Sequence, residues 1–299
     1  MSNQPKHNAA PQDRVALALL QTRCTEDRDE NFAKAEAGIE QAAKDGAGLI
    51  CLPELFLHPY PCQGEDASRF DWAESVPGKT TEALGKLAGS LGVVLVASLF
   101  EARAPGVYHN TSVVFDSDGE IVGRYRKMHI PDDPLYQEKF YFTPGDTGFV
   151  SVPTRVANVG PLVCWDQWFP EAARLATLAG AQILVYPTAI GWQFDESTEE
   201  DAAQHDAWET VQRGHAISNG VYVAAINRVG KEGEIRFWGQ SFVVDPFGRV
   251  VARASAEEEE TLLVECDLKA IEKVRREWPF LRDRRIDAYG DITKRMRDS

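Results

Sequence analysis

Cys164 closes the apolar run Val-Gly-Pro-Leu-Val-Cys at 159–164, and Phe169-Pro170-Glu171 follows soon after. Proline fits the first turn of a helix, where its missing N–H costs nothing. Glu171 in that turn suits the helix dipole. The pattern predicts a buried strand ending at Cys164 and a helix over Glu171–Ala179. Such a corner sets a side chain at the rim of a sheet, close to backbone N–H groups, where α/β proteins seat nucleophiles. A lone cysteine after Leu-Val is ordinarily a small buried hydrophobe, so a working thiol must find partners elsewhere in the chain. It needs a base for its proton, and a cation or N–H donors for the oxyanion it creates. Two residues sit at comparable positions: Glu54 ends Leu-Ile-Cys-Leu-Pro-Glu, and Lys127 ends Ile-Val-Gly-Arg-Tyr-Arg-Lys. Glu, Lys and Cys together supply base, cation and nucleophile without a histidine. Taken singly, Glu54 reads as a helix cap or surface carboxylate and Lys127 as a solvated rim lysine. A Lys–Glu pair can also be purely structural.

The elements that must position these residues alternate. Val15–Gln21 reads as a buried strand, 29–44 as a helix and Gly48–Leu52 as a second strand, giving one strand–helix–strand unit with Glu54 at its end. Residues 55–77 are aromatic and proline-rich and read as a long loop. A helix over Thr80–Ser90 and a strand over Val93–Leu99 follow. Asn110–Phe115 and Ile121–Arg126 flank Asp116-Ser-Asp-Gly119, a hairpin signal. Residues 127–148 carry three prolines and four aromatic rings, so they read as an ordered functional loop and not a linker. Beyond Cys164 come a strand at Gln182–Tyr186, an acidic loop at 195–201, a helix at 202–218 and a strand at Val221–Ile226. Phe242–Val244 and Arg249–Arg253 flank a second hairpin turn, Asp245-Pro-Phe-Gly248. A strand at Thr261–Cys266 and a helix at 268–277 complete the body. There is no short repeat and no low-complexity linker. The order predicts one large α/β domain with a mixed sheet or a pair of sheets.

Composition narrows the function classes. The chain has 299 residues, 43% of them hydrophobic and 26% charged, with a formal charge of −14. That is enough for a large core. No basic stripe suggests nucleic acid, and no apolar run approaches a membrane span. The five cysteines are odd in number and form no C-x-x-C pair, which points to a reducing, cytoplasmic setting. The six histidines show no metal-binding spacing, so neither a metal nor an organic cofactor is expected. Residues 1–13 are polar and read as a disordered arm rather than a signal peptide. The single domain then spans 14–280, with 281–299 as a charged tail at a subunit interface.

Several segments resemble the nitrilase superfamily of carbon–nitrogen hydrolases. They are Leu52-Pro-Glu-Leu-Phe56, Arg124-Tyr-Arg-Lys-Met-His-Ile-Pro131, Val163-Cys-Trp-Asp-Gln-Trp-Phe-Pro-Glu-Ala-Ala-Arg174, Tyr186-Pro-Thr-Ala-Ile190, Gln212-Arg-Gly-His215 and Asn227-Arg-Val-Gly230. They cover almost the whole chain. The resemblance implies a four-layer α-β-β-α sandwich, a Glu54-Lys127-Cys164 triad, and a homodimer or higher homo-oligomer in which helical layers stack. Within the superfamily the chain is most similar to N-carbamoylputrescine amidases, through 127–134, 138–146, 164–168, 237–242 and 278–285. Two places depart from that pattern: Pro161 in the strand before the cysteine, and the loop Gly191-Trp-Gln-Phe-Asp-Glu196.

What the resemblance implies is cysteine-dependent hydrolysis of an N-carbamoyl amine or other linear amide. Glu54 takes the Cys164 proton, the thiolate attacks the carbonyl carbon, and Lys127 with the Trp165 N–H holds the oxyanion. Glu138 is expected as an auxiliary carboxylate beside Lys127, with Tyr136 and Thr188 as wall or hydrogen-bonding positions. A cationic substrate end would need a carboxylate or aromatic faces; Asp195, Glu196, Glu199, Glu200 and Asp201 are candidates, though for most of them a solvated acidic loop is the favoured reading. One rival is a β-ureidopropionase-like or ω-amidase-like enzyme, whose acidic substrate would need a cation such as Arg103, Arg155 or Arg228. A thiol redox enzyme is a second rival, but no resolving cysteine lies beside Cys164. An assembly scaffold is a third, which leaves all three polar residues without a task.

Overall fold

The computed structural model describes residues 13–193 and 198–297. The arm expected at 1–13 therefore lies outside the described residues, apart from Asp13. The first half of the chain runs β1 (Arg14–Gln21), α1 (Arg28–Lys44), β2 (Leu49–Cys51), α2 (Lys79–Leu91), β3 (Val94–Ala104), β4 (Val107–Phe115) and β5 (Ile121–Arg126). A one-turn helix α3 (Glu138–Tyr141) and a short β6 (Val152–Pro153) lead into the second half. That half runs β7 (Asn158–Pro161), α4 (Pro170–Leu178), β8 (Ile183–Thr188), β9 (Gly191–Gln193), α5 (Thr198–Asn219), β10 (Tyr222–Asn227), β11 (Val229–Glu232), β12 (Ile235–Trp238), β13 (Phe242–Val244) and β14 (Val250–Arg253). β15 (Glu260–Asp267) and α6 (Lys269–Glu277) close the body.

Local chemistry explains the elements. Asp27 caps α1 by accepting from the N–H groups of Asp29 and Glu30, and the acids of the first turn face the positive end of the dipole. Asn31, Ala35, Ile39 and Ala42 recur at helical spacing and form the buried face of α1. α2 stops at Gly92, whose φ of +70° suits a residue without a Cβ. β2, β8 and β10 are buried along their whole length, as central parallel strands covered on both faces must be.

The strands form two six-stranded sheets, β15-β1-β2-β3-β4-β5 and β14-β13-β10-β8-β7-β6. Taken from β15, neighbours in the first sheet pair antiparallel, parallel, parallel, antiparallel, antiparallel. Taken from β6, the second sheet follows the same sequence. The two Asp-x-x-Gly turns, at 116–119 and 245–248, occupy equivalent hairpins. Each brings its Gly N–H to its Asp carbonyl at 2.8 Å. The chain thus uses one strand–helix plan twice, a long-range repeat that residue spacing does not reveal.

Three apolar clusters define four layers. One joins Leu17, Leu19, Val94 and Val96 of the first sheet to Val159, Ile183, Val185 and Ala224 of the second. A second packs α1 and α2 onto the outer face of the first sheet, through Ile39, Leu84 and Phe115. The third packs α4 and α5 onto the second sheet, through Ala172, Ala176, Trp208 and Ala216. The architecture is the expected α-β-β-α sandwich.

Several details differ from the sequence reading. The strand before Cys164 stops at Pro161, which has no N–H to extend the ladder. Cys164 instead opens a short 3-10 turn over Cys164–Trp168. β3 and β4 are longer than expected and meet at Pro105-Gly106, with Gly106 at φ +76°. Of the acidic loop expected at 195–201, Glu199, Glu200 and Asp201 lie in the first turn of α5, where acids suit the dipole. Thr198 begins that helix, and Asp195, Glu196 and Ser197 lie outside the described residues. A third sheet, β11-β12-β9, was not anticipated. The inter-sheet core is what fixes the spacing of the two rims. Leu19→Ala, which hollows it, should lower stability by about 2–5 kcal/mol in urea unfolding; a loss below ~1 kcal/mol would show that this packing matters little.

Candidate active site

Glu54 stands three residues beyond β2, just before Leu55, which adopts φ +49°. A left-handed backbone at a leucine is strained by about 1–3 kcal/mol and persists only where its surroundings impose it. Here Leu55 N–H donates to Ser98 Oγ at 3.2 Å, and Ser98 Oγ donates to Asn110 Oδ1 at 2.9 Å. Asn110 Nδ2 in turn donates to Glu54 Oε1 at 2.6 Å. Two central strands therefore aim the carboxylate. Its other oxygen, Oε2, is buried without a protein partner.

Lys127 immediately follows β5. Its N–H donates to Asn110 O at 2.9 Å and its carbonyl accepts from Gly145 N–H at 2.8 Å. A Cβ on Gly145 would overlap the Arg126 carbonyl oxygen, so the 143–145 segment can pack here only with glycine at that position. The Lys127 ammonium lies 2.9 Å from Glu54 Oε1 and 2.7 Å from both oxygens of Glu138. Tyr60 OH donates to Glu138 Oε1 at 2.7 Å. Lys127, Glu54 and Glu138 are all 0% exposed. Burial alone would push the lysine down, but Glu138 and Glu54 outweigh it and hold the ammonium well above the ordinary lysine range. Burial pushes the Glu138 carboxyl up to about 7, with Lys127 pulling the other way.

Cys164 has φ +38°. One buried carboxylate holds that corner. Asp166 Oδ2 accepts from Val163 N–H at 3.0 Å and Tyr125 OH at 2.9 Å, and Oδ1 pairs with His129 Nδ1 at 2.7 Å. The thiol faces the Ala189 carbonyl at 3.9 Å. Burial pushes it well above the ordinary cysteine range, and Glu54 adds to this while Lys127 opposes it. At rest Cys164 is therefore a thiol, and a nucleophilic role for it would call for a base to take its proton.

A cavity of about 330 Å³ opens onto this corner. Trp165, Trp168, Trp238, Ile190 and Tyr136 supply apolar walls, Cys164 and Glu138 line its inner part, and Asp133 lies at its exposed side. β9 and β12 bring Gly191, Gln193 and Trp238 to the wall, and Tyr136 OH is tied to Gly191 O at 3.3 Å. The structure thus gathers Glu54, Lys127, Glu138 and Cys164, and sets Trp165 and Tyr136 beside them. Of the wall or hydrogen-bonding position expected of Thr188, the structure shows a hydrogen bond within its own strand and no place in the cavity wall. Thr188 is fully buried, and its hydroxyl donates to Tyr186 O at 2.8 Å. Glu199, Glu200 and Asp201 do not line the cavity, and Asp195 and Glu196 lie outside the described residues. Sequence reasoning missed Tyr60, Asn110, Asp133 and Asp166. Only Asp166 had a local signal, two residues after the cysteine.

A thiol on a strained corner of a two-sheet sandwich, with a buried lysine between carboxylates, places the molecule among the nitrilase-type hydrolases. The sequence matches the carbon-nitrogen hydrolase family over residues 14–276, and the chain belongs to that family. It is an amide-hydrolysing enzyme. It is 44% identical over 284 residues to an N-carbamoylputrescine amidase of Solanum lycopersicum, covering 92% of this chain and 93% of the relative. It is 40% identical over 286 residues to a citrullinase of Francisella tularensis, covering 94% and 99%. The crystal structure of a carbon-nitrogen hydrolase from Helicobacter pylori G27 superposes with a TM-score of 0.92 at 49% identity, covering 95% of this chain and all of the other.

The raised thiol has a direct consequence. Its thiolate fraction should climb through the neutral range, so iodoacetamide labelling of Cys164, followed by peptide mapping, should rise about tenfold per pH unit from 7 to 9. A plateau reached below pH 8 would contradict the geometry described.

Proposed function

We propose that this enzyme hydrolyses a terminal ureide with a cationic far end, N-carbamoylputrescine being the best fit, to putrescine, CO2 and ammonia, a step of polyamine biosynthesis. The observation that carries the substrate is the cavity lining. Among the described residues it contains two carboxylates, Asp133 and Glu138, and no lysine or arginine. None of the three arginines offered as a cation for a carboxylate-bearing substrate lines the cavity: Arg103 pairs with Asp146, Arg155 is exposed, and Arg228 is buried against Glu232. Asp133 at the open side, with indole faces nearby, suits an alkylammonium. The similarity to the tomato amidase supports the same reading.

In this mechanism Glu54 accepts the Cys164 proton on its unpartnered Oε2 as Sγ bonds to the ureido carbon. Lys127 and the Trp165 N–H stabilise the oxyanion. Glu54 returns the proton to the departing ammonia, and the C–N bond breaks to leave a thiocarbamate on Cys164. A water, deprotonated by Glu54, then attacks that carbon. The S–C bond breaks, the thiol regains its proton, and the released carbamate loses CO2. Glu138 holds the ammonium of Lys127 and keeps it charged throughout. The small-molecule chemistry calls for no metal, cofactor or nucleic acid. Exposed Leu175, Leu178 and Ile217 on the helical layer, and Ile286, Ile292 and Met296 in the 281–299 tail, support a homodimer or larger homo-oligomer through these two regions. Five free thiols support a cytoplasmic setting. A ureide with an amino-acid end is a second reading, favoured by the similarity to the Francisella citrullinase.

Ammonia release on N-carbamoylputrescine, citrulline, N-carbamoyl-β-alanine, glutaramate and a simple aliphatic nitrile tests this. N-carbamoylputrescine should be preferred, with Cys164→Ala folded but inactive. Asp133→Asn should raise KM for the cationic substrate about fivefold, as for an ion pair worth about 1 kcal/mol. Preference for N-carbamoyl-β-alanine or glutaramate would overturn the substrate and leave the thiol chemistry standing.

A further inference from the structure

Arg228, the first residue after β10, is fully buried, yet it does not line the cavity. Its guanidinium is spread over the main chain behind Glu54. Nη2 donates to Glu54 O at 2.7 Å and Leu55 O at 3.1 Å. Nη1 donates to both Glu232 oxygens at 2.8 Å and to His58 O at 3.3 Å. The guanidinium also lies over the Phe237 ring, 5.3 Å from its centroid. Glu232 carries the contact onward: its Oε2 accepts from Tyr60 N–H at 2.6 Å, and Tyr60 OH donates to Glu138 Oε1 at 2.7 Å. One cation is therefore bonded to the backbone of one carboxylate that meets Lys127, and through Glu232 and Tyr60 to the other.

The neighbouring residue does the same for the nucleophile's side. Asn227 Nδ2 donates to Ile190 O at 2.9 Å, and its Oδ1 accepts from Ile190 N–H at 3.1 Å. Ile190 lines the cavity and follows Ala189, whose carbonyl faces the Cys164 thiol.

We infer that Arg228 is a positioning residue for Glu54. The left-handed turn at Leu55 makes the carbonyls of Glu54 and Leu55 converge on one side, where only a forked donor reaches both and Glu232 as well. A planar guanidinium does this; an ammonium is a point donor and cannot span the set. With Oε1 held by Asn110 and Lys127, and the main chain held by Arg228, Oε2 is left in one place. A base displaced by about 1 Å can lose about 100-fold in rate. The inference rests on Glu54 being the base, and extends that reading to a residue 174 positions away.

The test uses the full chain and whichever amide it turns over best, so a wrong substrate assignment does not affect it. Arg228→Lys should keep the fold, with a melting midpoint within a few degrees of the parent. It should lower kcat about 100-fold, leave KM within threefold, and leave Cys164 fully titratable by iodoacetamide. A kcat within threefold of the parent overturns the inference. So does a loss that merely matches a fall in titratable Cys164, which is what a purely structural role gives. If Arg228→Lys does not fold, Glu232→Gln decides: it should lower kcat about tenfold at unchanged KM, and an unchanged kcat overturns the inference. Glu54→Gln runs beside these as the control. If it stays active, the assignment of Glu54 as base fails, and that failure is visible independently of Arg228.

Discussion

An ammonium with no access to water must be surrounded by acceptors, and Lys127 is surrounded by two carboxylates. Burying three charges costs several kcal/mol per ion, and the attraction among them offsets this only with close contacts on all sides. That requirement reaches far from the lysine. It needs Asn110 on β4 to hold Glu54, and Tyr60 in the proline-rich loop to hold Glu138. It also needs a glycine at 145 so that the chain after β5 can close over Lys127. One cation between two carboxylates has a formal charge of −1 when both are ionised, and burial pushes the Glu138 carboxyl up. A group of that kind suits a step in which a thiol gives up a proton and an amine takes one.

The fold provides this site by bringing together unequal corners of two similar halves. The first half contributes Glu54 after β2 and Lys127 after β5. The second contributes Cys164 after β7 and the wall after β8. The parallel central strands run the same way within each sheet, so these corners fall at one end of the sandwich, and the inter-sheet core sets the distance between them. The strained backbones of Leu55 and Cys164 lie at two of these corners, one from each half.

Much of this was legible in the sequence, for a definite reason. Glu54 and Cys164 follow apolar runs and Lys127 closes the second strand of a hairpin signal, so local patterns located each strand and the polar residue at or just beyond its end. The helices announced themselves through apolar spacing, as 29–44 does for α1, and through Pro170-Glu171 at the start of α4. Residues whose partners are remote were not legible. Asn110 read as the start of a strand, Tyr60 as part of an aromatic loop, and Arg228 as an arginine that a carboxylate substrate could use. Thr188 was given a wall or hydrogen-bonding position because of its motif, and its hydroxyl closes onto its own strand. The small sheet β11-β12-β9 went unread because its strands are short, and the Pro105-Gly106 turn because the polar ends of β3 and β4 interrupt the apolar pattern. The repeated strand order is a property of pairing, which spacing along the chain does not encode.

The central claim is that the thiol of Cys164 forms a bond to the substrate carbonyl carbon. Acid-quench mass spectrometry of the enzyme during turnover of its best substrate, with peptide mapping of all five cysteines, tests it most directly. The account predicts one substrate-derived acyl or carbamoyl adduct, on Cys164, that accumulates and decays with the reaction. Sustained ammonia release with Cys164 unmodified at every time, or turnover by Cys164→Ala at a rate near the parent's, would contradict it.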